Sequence, residues 1–133
     1  GNNCAPAKMH QEADGQTVGL IGYGDIGRHI ATRAVALGMQ VVAVDRHPTE
    51  MPPPPLTWLG SDADLPKLLR QSDFVVPCVP LTSETVSMIN ATMLGLMKNS
   101  SVINNAARGP VIDQQALFDA LESQIIGGAI LDV

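Results

Sequence analysis

Apolar positions along this chain fall into two alternating patterns. Five short runs are almost continuously aliphatic: "TVGLIG" (17–22), "QVVAVD" (40–45), "DFVVPCVP" (73–80), "SSVIN" (100–104) and "GGAILDV" (127–133). Their length and β-branched content predict buried strands. Pro77 within the third run lacks a ladder donor, so it is expected near that strand's end. Between the runs, apolar residues recur every three to four positions. Ile26, Ile30, Ala34 and Leu37 predict a helix closed by Gly38, and Leu65, Leu68 and Leu69 predict a shorter one over 61–70. Asn90 is a candidate N-cap for "ATMLGLMK", and Asp113 for a helix 114–123 with Ala116, Leu117, Ala120 and Leu121 on one face. Residues 1–16 show no periodicity and read as a lead-in. Residues 46–60, with four successive prolines, read as a loop with an extended path.

Strands apolar throughout have both faces covered, which points to a parallel sheet with helices on either side. Right-handed crossovers then give a single α/β domain: a doubly wound parallel sheet of the Rossmann type. Such sheets bind ligands outside the carboxyl ends of their strands. In this chain those ends carry residues 22–27, Asp45, Val79 and Pro80, residues 105–108, and Asp132.

Composition narrows the field. Of 133 residues, 45% are hydrophobic and 16% charged, enough apolar material for one modest globular core. The net charge of −5, without a Lys/Arg cluster or aromatic platforms, argues against nucleic acid or an anionic membrane as partner. No apolar run is long enough to span a bilayer. Cys4 and Cys78 form neither a metal-ligand spacing nor a disulfide framework, so no metal is expected and a cytoplasmic setting fits. Cys78 is expected to be buried or half-buried. The absence of an initiator Met and the stop after an apolar run both read as cuts from a longer chain.

"GYGDIG" places Gly22, Gly24 and Gly27 in a G-x-G-x-x-G pattern between a predicted strand and a predicted helix. Gly22 permits the tight turn, Gly24 lets a pyrophosphate approach the backbone, and Gly27 lets helix and strand pack closely. The amides of Asp25 and Ile26, at the positive end of the helix dipole, would face phosphate oxygens. Asp45 closes the second strand, where a carboxylate accepts hydrogen bonds from an adenosine ribose and repels a 2′-phosphate. NAD is therefore expected rather than NADP. Arg46 beside it pulls the other way, because an arginine can pair with that phosphate.

"NNAARGPVID" (104–113) poses a different question: what does a guanidinium do at the mouth of a buried strand? Together with "TVGLIGYGDIGRHIATRAVALGMQVVAVD", "SDFVVPCVPLTSET", "NAARGPVIDQQALFDALES" and "GGAILDV", it resembles the cofactor-binding domain of the D-isomer-specific 2-hydroxyacid dehydrogenases. The resemblance covers 17–133. It implies that Asp25 and Ile26 hold the pyrophosphate, Asp45 the ribose, Val79 and Pro80 the adenosine side, and Asp132 the carboxamide. Ala106, Ala107 and Arg108 would border the nicotinamide, with Arg108 gripping the substrate's carboxylate and carbonyl oxygen. A planar fork of donors suits a 2-oxo acid, because it can bind the carboxylate through two hydrogen bonds and polarise the carbonyl. The family's acid/base histidine and its glutamate would follow the "LDV" motif, so the fragment alone is expected to bind and not to turn over. His10, His29 and His47 follow no suitable motif.

The resemblance further implies a homodimer, a small 2-hydroxy or 2-oxo acid substrate, and a separate substrate domain. An alternative within the family is a non-catalytic NAD sensor like the C-terminal binding protein corepressors, though no residue here points to it. A different Rossmann enzyme, such as an adenosylhomocysteine-type hydrolase, is disfavoured by "NAARG" followed by "LDV". Three residues depart from the family pattern: Pro77, Asn104 in place of an aliphatic strand residue, and Gln124 in place of a glycine after the last helix. Asn104 would bring a polar group needing a partner, and Gln124 would lose an easy left-handed cap.

Overall fold

The computed structural model describes residues 14–48 and 55–131. Six strands, β1 (Thr17–Ile21), β2 (Gln40–Val44), β3 (Trp58–Gly60), β4 (Phe74–Pro77), β5 (Val102–Asn105) and β6 (Gly128–Leu131), form one sheet. Its order is β3-β2-β1-β4-β5-β6 and every pairing is parallel. Four α-helices, α1 (Asp25–Ala36), α2 (Leu65–Gln71), α3 (Ala91–Leu94) and α4 (Gln114–Glu122), cover it. The doubly wound α/β reading therefore holds, and the strand order reverses between β1 and β4, where such sheets open a crevice.

Alternation along each strand explains the continuous apolar runs. Ile21, Val42, Val44, Val75 and Ile103 face Leu65, Leu68, Leu69 and Leu117. Val18, Leu20, Val41, Ala43 and Val76 face Ala31 and Ala34 of α1. Fully burying a side chain such as Leu68 is worth about 2 kcal/mol, so two such layers suffice for a core of aliphatic residues.

Several expectations change. The inward face of α1 is Gly27, Ala31 and Ala34, while Ile26 and Leu37 are exposed. Close approach to the sheet requires small residues there, and that requirement overrides hydrophobicity. The 46–60 loop contains the edge strand β3, whose three residues pair in parallel with β2 while Trp58 and Leu59 pack against the two core layers. Pro52, Pro53 and Pro54 of the proline run lie outside the described residues, as does most of the lead-in. The 61–70 helix starts as a 3-10 turn, Asp62–Asp64, before α2. Gly95 caps α3 after one turn, well short of the predicted span. On α4, Leu121 is exposed beside buried Ala116, Leu117 and Ala120.

Other expectations are met. Asn90 and Asp113 accept amide hydrogen bonds from Met93 (3.0 Å) and Ala116 (3.1 Å). Pro77 is the last residue of β4. Cys78 N–H donates to Ile21, so alternation turns the proline nitrogen toward β5, where pairing has already ended at Val75 and Ile103. The Asn104 side-chain oxygen is buried with no hydrogen-bond partner among the described residues.

Candidate functional site: a crevice at the carboxyl edge

The glycine motif sits where the sequence puts it, between β1 and α1. Gly22 has φ +98°, a conformation side chains resist, and its N–H donates to Val44 O at 2.8 Å. A Cβ on Gly27 would stand 2.9 Å from Gly22 O, whereas one on Gly24 would meet nothing within 4 Å. The third glycine thus serves packing, and the second opens a path to the backbone. Gly24 is the N-cap of α1 and offers its first-turn amides no side-chain acceptor. Those amides, Asp25 and Ile26 among them, are left for an anion at the helix's positive end. This cradle fits a dinucleotide pyrophosphate.

Asp45 follows β2 and is tied on both oxygens. Tyr23 N–H donates to Oδ1 at 2.9 Å and His47 N–H to Oδ2 at 3.1 Å. These bonds fix the carboxylate beside the glycine loop with lone pairs to spare for a hydroxyl. Gly22, Gly24 and Asp45 line a cavity of about 260 Å³ with Val79, Pro80, Cys78 and Arg46. Thr85 secures its far wall: buried, it donates to Pro80 O at 2.7 Å and accepts from Thr82 N–H at 2.8 Å.

A second, more open hollow of about 520 Å³ adjoins the first across Cys78, Val79 and Pro80. Ile26, Ala106, Ala107 and Arg108 line it. Asn105, fully buried, staples this turn: its Nδ2 donates to Arg108 O (3.1 Å) and its Oδ1 accepts from Ala107 N–H (3.0 Å). Arg108 itself is exposed and forms no ion pair among the described residues. His29 and His47 do not line this hollow. Asp132 lies outside the described residues. A third hollow, of about 380 Å³ between residues 86–87 and 109–114, contains none of the predicted site residues.

Cys78 sits at the seam of the two hollows, half-buried, with its Sγ 3.3 Å from Val76 O. Burial pushes its thiol up from 9.0 to about 12, so it is a neutral thiol and a poor nucleophile. Sequence reasoning did not foresee the surroundings of Arg46. Its guanidinium contacts Glu84, and its Nε lies 3.8 Å from Asp62. No local pattern could show this, since the three residues follow three different strands. The role of Asn105 was legible only as one more polar residue in "NNAARG".

The comparisons agree with this architecture. The family model described as "D-isomer specific 2-hydroxyacid dehydrogenase, NAD binding domain" matches residues 2–133. A glycerate dehydrogenase from Methylorubrum extorquens is 44% identical over 119 residues, covering 90% of this chain and 35% of that protein. The chain thus spans about a third of that relative's length. Among solved structures, a D-isomer specific 2-hydroxyacid dehydrogenase from Lactobacillus delbrueckii ssp. bulgaricus, in NAD-complexed form, superposes with TM-score 0.76 and 37% identity. The overlap covers 88% of this chain and 35% of that one. An acyclic imino acid reductase in complex with NADPH and D-Arg gives TM-score 0.82 at 32% identity, covering 91% and 38%. With its glycine cradle, its fixed carboxylate at the end of β2 and its parallel sheet, this chain belongs to the D-isomer specific 2-hydroxyacid dehydrogenases and carries their NAD binding domain.

Proposed function

We propose that the chain is the cofactor-binding part of an enzyme that moves hydride between NAD and C2 of a small D-2-hydroxy or 2-oxo acid. The observation that carries this reading is the meeting of three features at one crevice: a helix start without a side-chain cap, a fixed carboxylate and an exposed guanidinium. In this reading Asp25 and Ile26 donate their amides to the pyrophosphate, and Asp45 accepts from the adenosine ribose. Val79 and Pro80 flank the adenosine, Ala106 and Ala107 border the nicotinamide, and Asp132 holds its carboxamide. NAD supplies the hydride acceptor or donor. Arg108 grips the substrate carboxylate with paired hydrogen bonds, and its charge draws electrons from the carbonyl that receives hydride.

Proton exchange at the hydroxyl needs an acid/base group beside Arg108, and neither His29 nor His47 borders that hollow. The chain by itself is therefore read as a binder without turnover. Residues 17–133 form the NAD-binding unit and 1–16 lead into it. The substrate domain and the catalytic histidine and glutamate belong to the remaining two-thirds of a protein the length of its relative. The whole enzyme is read as a cytoplasmic homodimer. No helix among the described residues is long and apolar enough to cross a membrane. No observation favours the corepressor alternative.

Titrating the chain with NADH, followed by the cofactor's fluorescence, tests the core of this reading. Saturable binding without turnover of any 2-oxo acid is the expected result. A folded chain, by circular dichroism, that shows no saturable binding would sink it.

A further inference from the structure

Arg46 stands next to the carboxylate that is read as the ribose acceptor, and both line the same cavity. An arginine in this neighbourhood is the group that would receive a 2′-phosphate. Its availability therefore bears on which dinucleotide the site accepts, and proteins of this fold hold either form. The guanidinium is not available in this structure. It contacts Glu84, from the segment after β4, and its Nε lies 3.8 Å from Asp62, in the turn after β3. Arg46 thus lies between the segments that follow β3 and β4, with a carboxylate from each.

Charge arithmetic gives the consequence. The Arg46 guanidinium contacts two carboxylates, those of Asp62 and Glu84, and shares its cavity with a third, Asp45, so the four side chains together carry a charge of −2. A 2′-phosphate recruiting Arg46 would have to take it from Glu84. It would then sit beside two newly unpaired carboxylates as well as Asp45. A 2′-hydroxyl meets no such conflict, because it donates to Asp45 and asks nothing of the arginine.

We infer that Glu84, assisted by Asp62, biases dinucleotide choice toward NAD by sequestering Arg46, so that the arginine beside the ribose site does little to recruit NADP. The inference rests on the NAD-binding reading above and deepens it. Glu84 acts through Arg46 and is a positioning residue. All three side chains are substantially exposed, and exposed pairs are individually weak, so the effect is modest in size.

NADH and NADPH titrations of the native chain, Glu84→Gln, Asp62→Asn and the double variant Arg46→Ala/Glu84→Gln provide the test. Glu84→Gln should tighten NADPH relative to NADH by about fivefold, the scale of one exposed charge pair, and Asp62→Asn should act in the same direction by less. The double variant should return to the native ratio. A Glu84→Gln ratio equal to native overturns the inference. So does a gain that survives removal of Arg46, since the carboxylate's own charge would then be the cause. If the native chain binds NADH and only the ratios fail to move, this inference falls alone. If it binds no NADH, the NAD-binding reading falls and takes the inference with it.

Discussion

The two hollows at the carboxyl edge share a wall and are built in opposite ways. The one under the glycine loop is fixed from its backbone outward. Gly22 is locked by its hydrogen bond to Val44, Tyr23 is buried, and both Asp45 oxygens carry amide partners before any ligand arrives. In its neighbour only the turn is fixed, by Asn105, and the chemical group, Arg108, projects from it exposed and unpaired among the described residues. A pocket for an invariant ligand half can be prebuilt, and its groups then cost little entropy on binding. On the proposed reading, a cation that meets a small acid gains from being left free, because a partner within the fold would compete with that ligand. Rigidity and availability are thus divided between two hollows that touch at Cys78, Val79 and Pro80.

The largest test of that division is Gly27→Val. A Cβ at this position already meets Gly22 O at 2.9 Å, and a branched side chain must push α1 off β1. A loss of about 3 kcal/mol in urea-measured stability is expected, with NADH binding abolished. Native stability and affinity in this variant would show that the glycine hollow is not prebuilt.

Next comes a matched pair. Asp45→Ala strips the acceptor from the Tyr23 amide and, on the proposed reading, from the ribose, so NADH affinity should fall about tenfold or more and stability by about 1–2 kcal/mol. Arg108→Ala removes an exposed side chain with no ion pair among the described residues, so stability should move by less than about 0.5 kcal/mol and NADH affinity by less than about threefold. Calorimetry and NADH titration on both variants suffice, and an inverted ranking would break the contrast.

Much of this was readable from the chain because parallel-sheet physics leaves a strong trace: continuous apolar runs, glycines at a strand–helix turn, caps at Asn90 and Asp113. Features that depend on size or on distant neighbours left none. Ile26 and Leu37 look like the inward stripe of α1, yet the approach that Gly27 makes possible turns the small face inward. β3 is three residues long and owes its pairing to β2, not to its own pattern. The ends of α1 and α4 show the limit in another way. Both close with the same pair of backbone bonds: Gly38 to Val35 and Met39 to Ala34 in α1, Gln124 to Leu121 and Ile125 to Ala120 in α4. Gly38 takes φ +84° freely, and Gln124 is forced to φ +58° by the same geometry. The sequence exposes the substitution, while the structure shows that the motif survives it. Asn104 is the converse case, a polar residue whose buried oxygen found no partner among the described residues.

At neutral pH the smallest effect belongs to the shared seam. Cys78 borders both hollows, and desolvation raises its thiol from 9.0 to about 12. The unfolded chain therefore releases this proton from about pH 9 upward while the folded chain keeps it until about pH 12. Over that window the unfolded state gains, so stability should decline as pH rises and be fully retained below pH 9. Replacing Cys78 with Ala should flatten that alkaline decline without changing stability at pH 7 by more than about 1 kcal/mol. The same burial predicts slow alkylation. In a Cys4→Ser background at pH 8, iodoacetamide should modify folded Cys78 at least about tenfold more slowly than the urea-unfolded chain, because the thiolate is the nucleophile. Saturating NADH should slow it further, since a ligand filling the prebuilt hollow covers one side of the sulfur. Alkylation at the unfolded rate, indifferent to NADH, would mean that the seam is open. The rigid hollow would then end short of Cys78, and the boundary drawn between the two halves of the crevice would be in the wrong place.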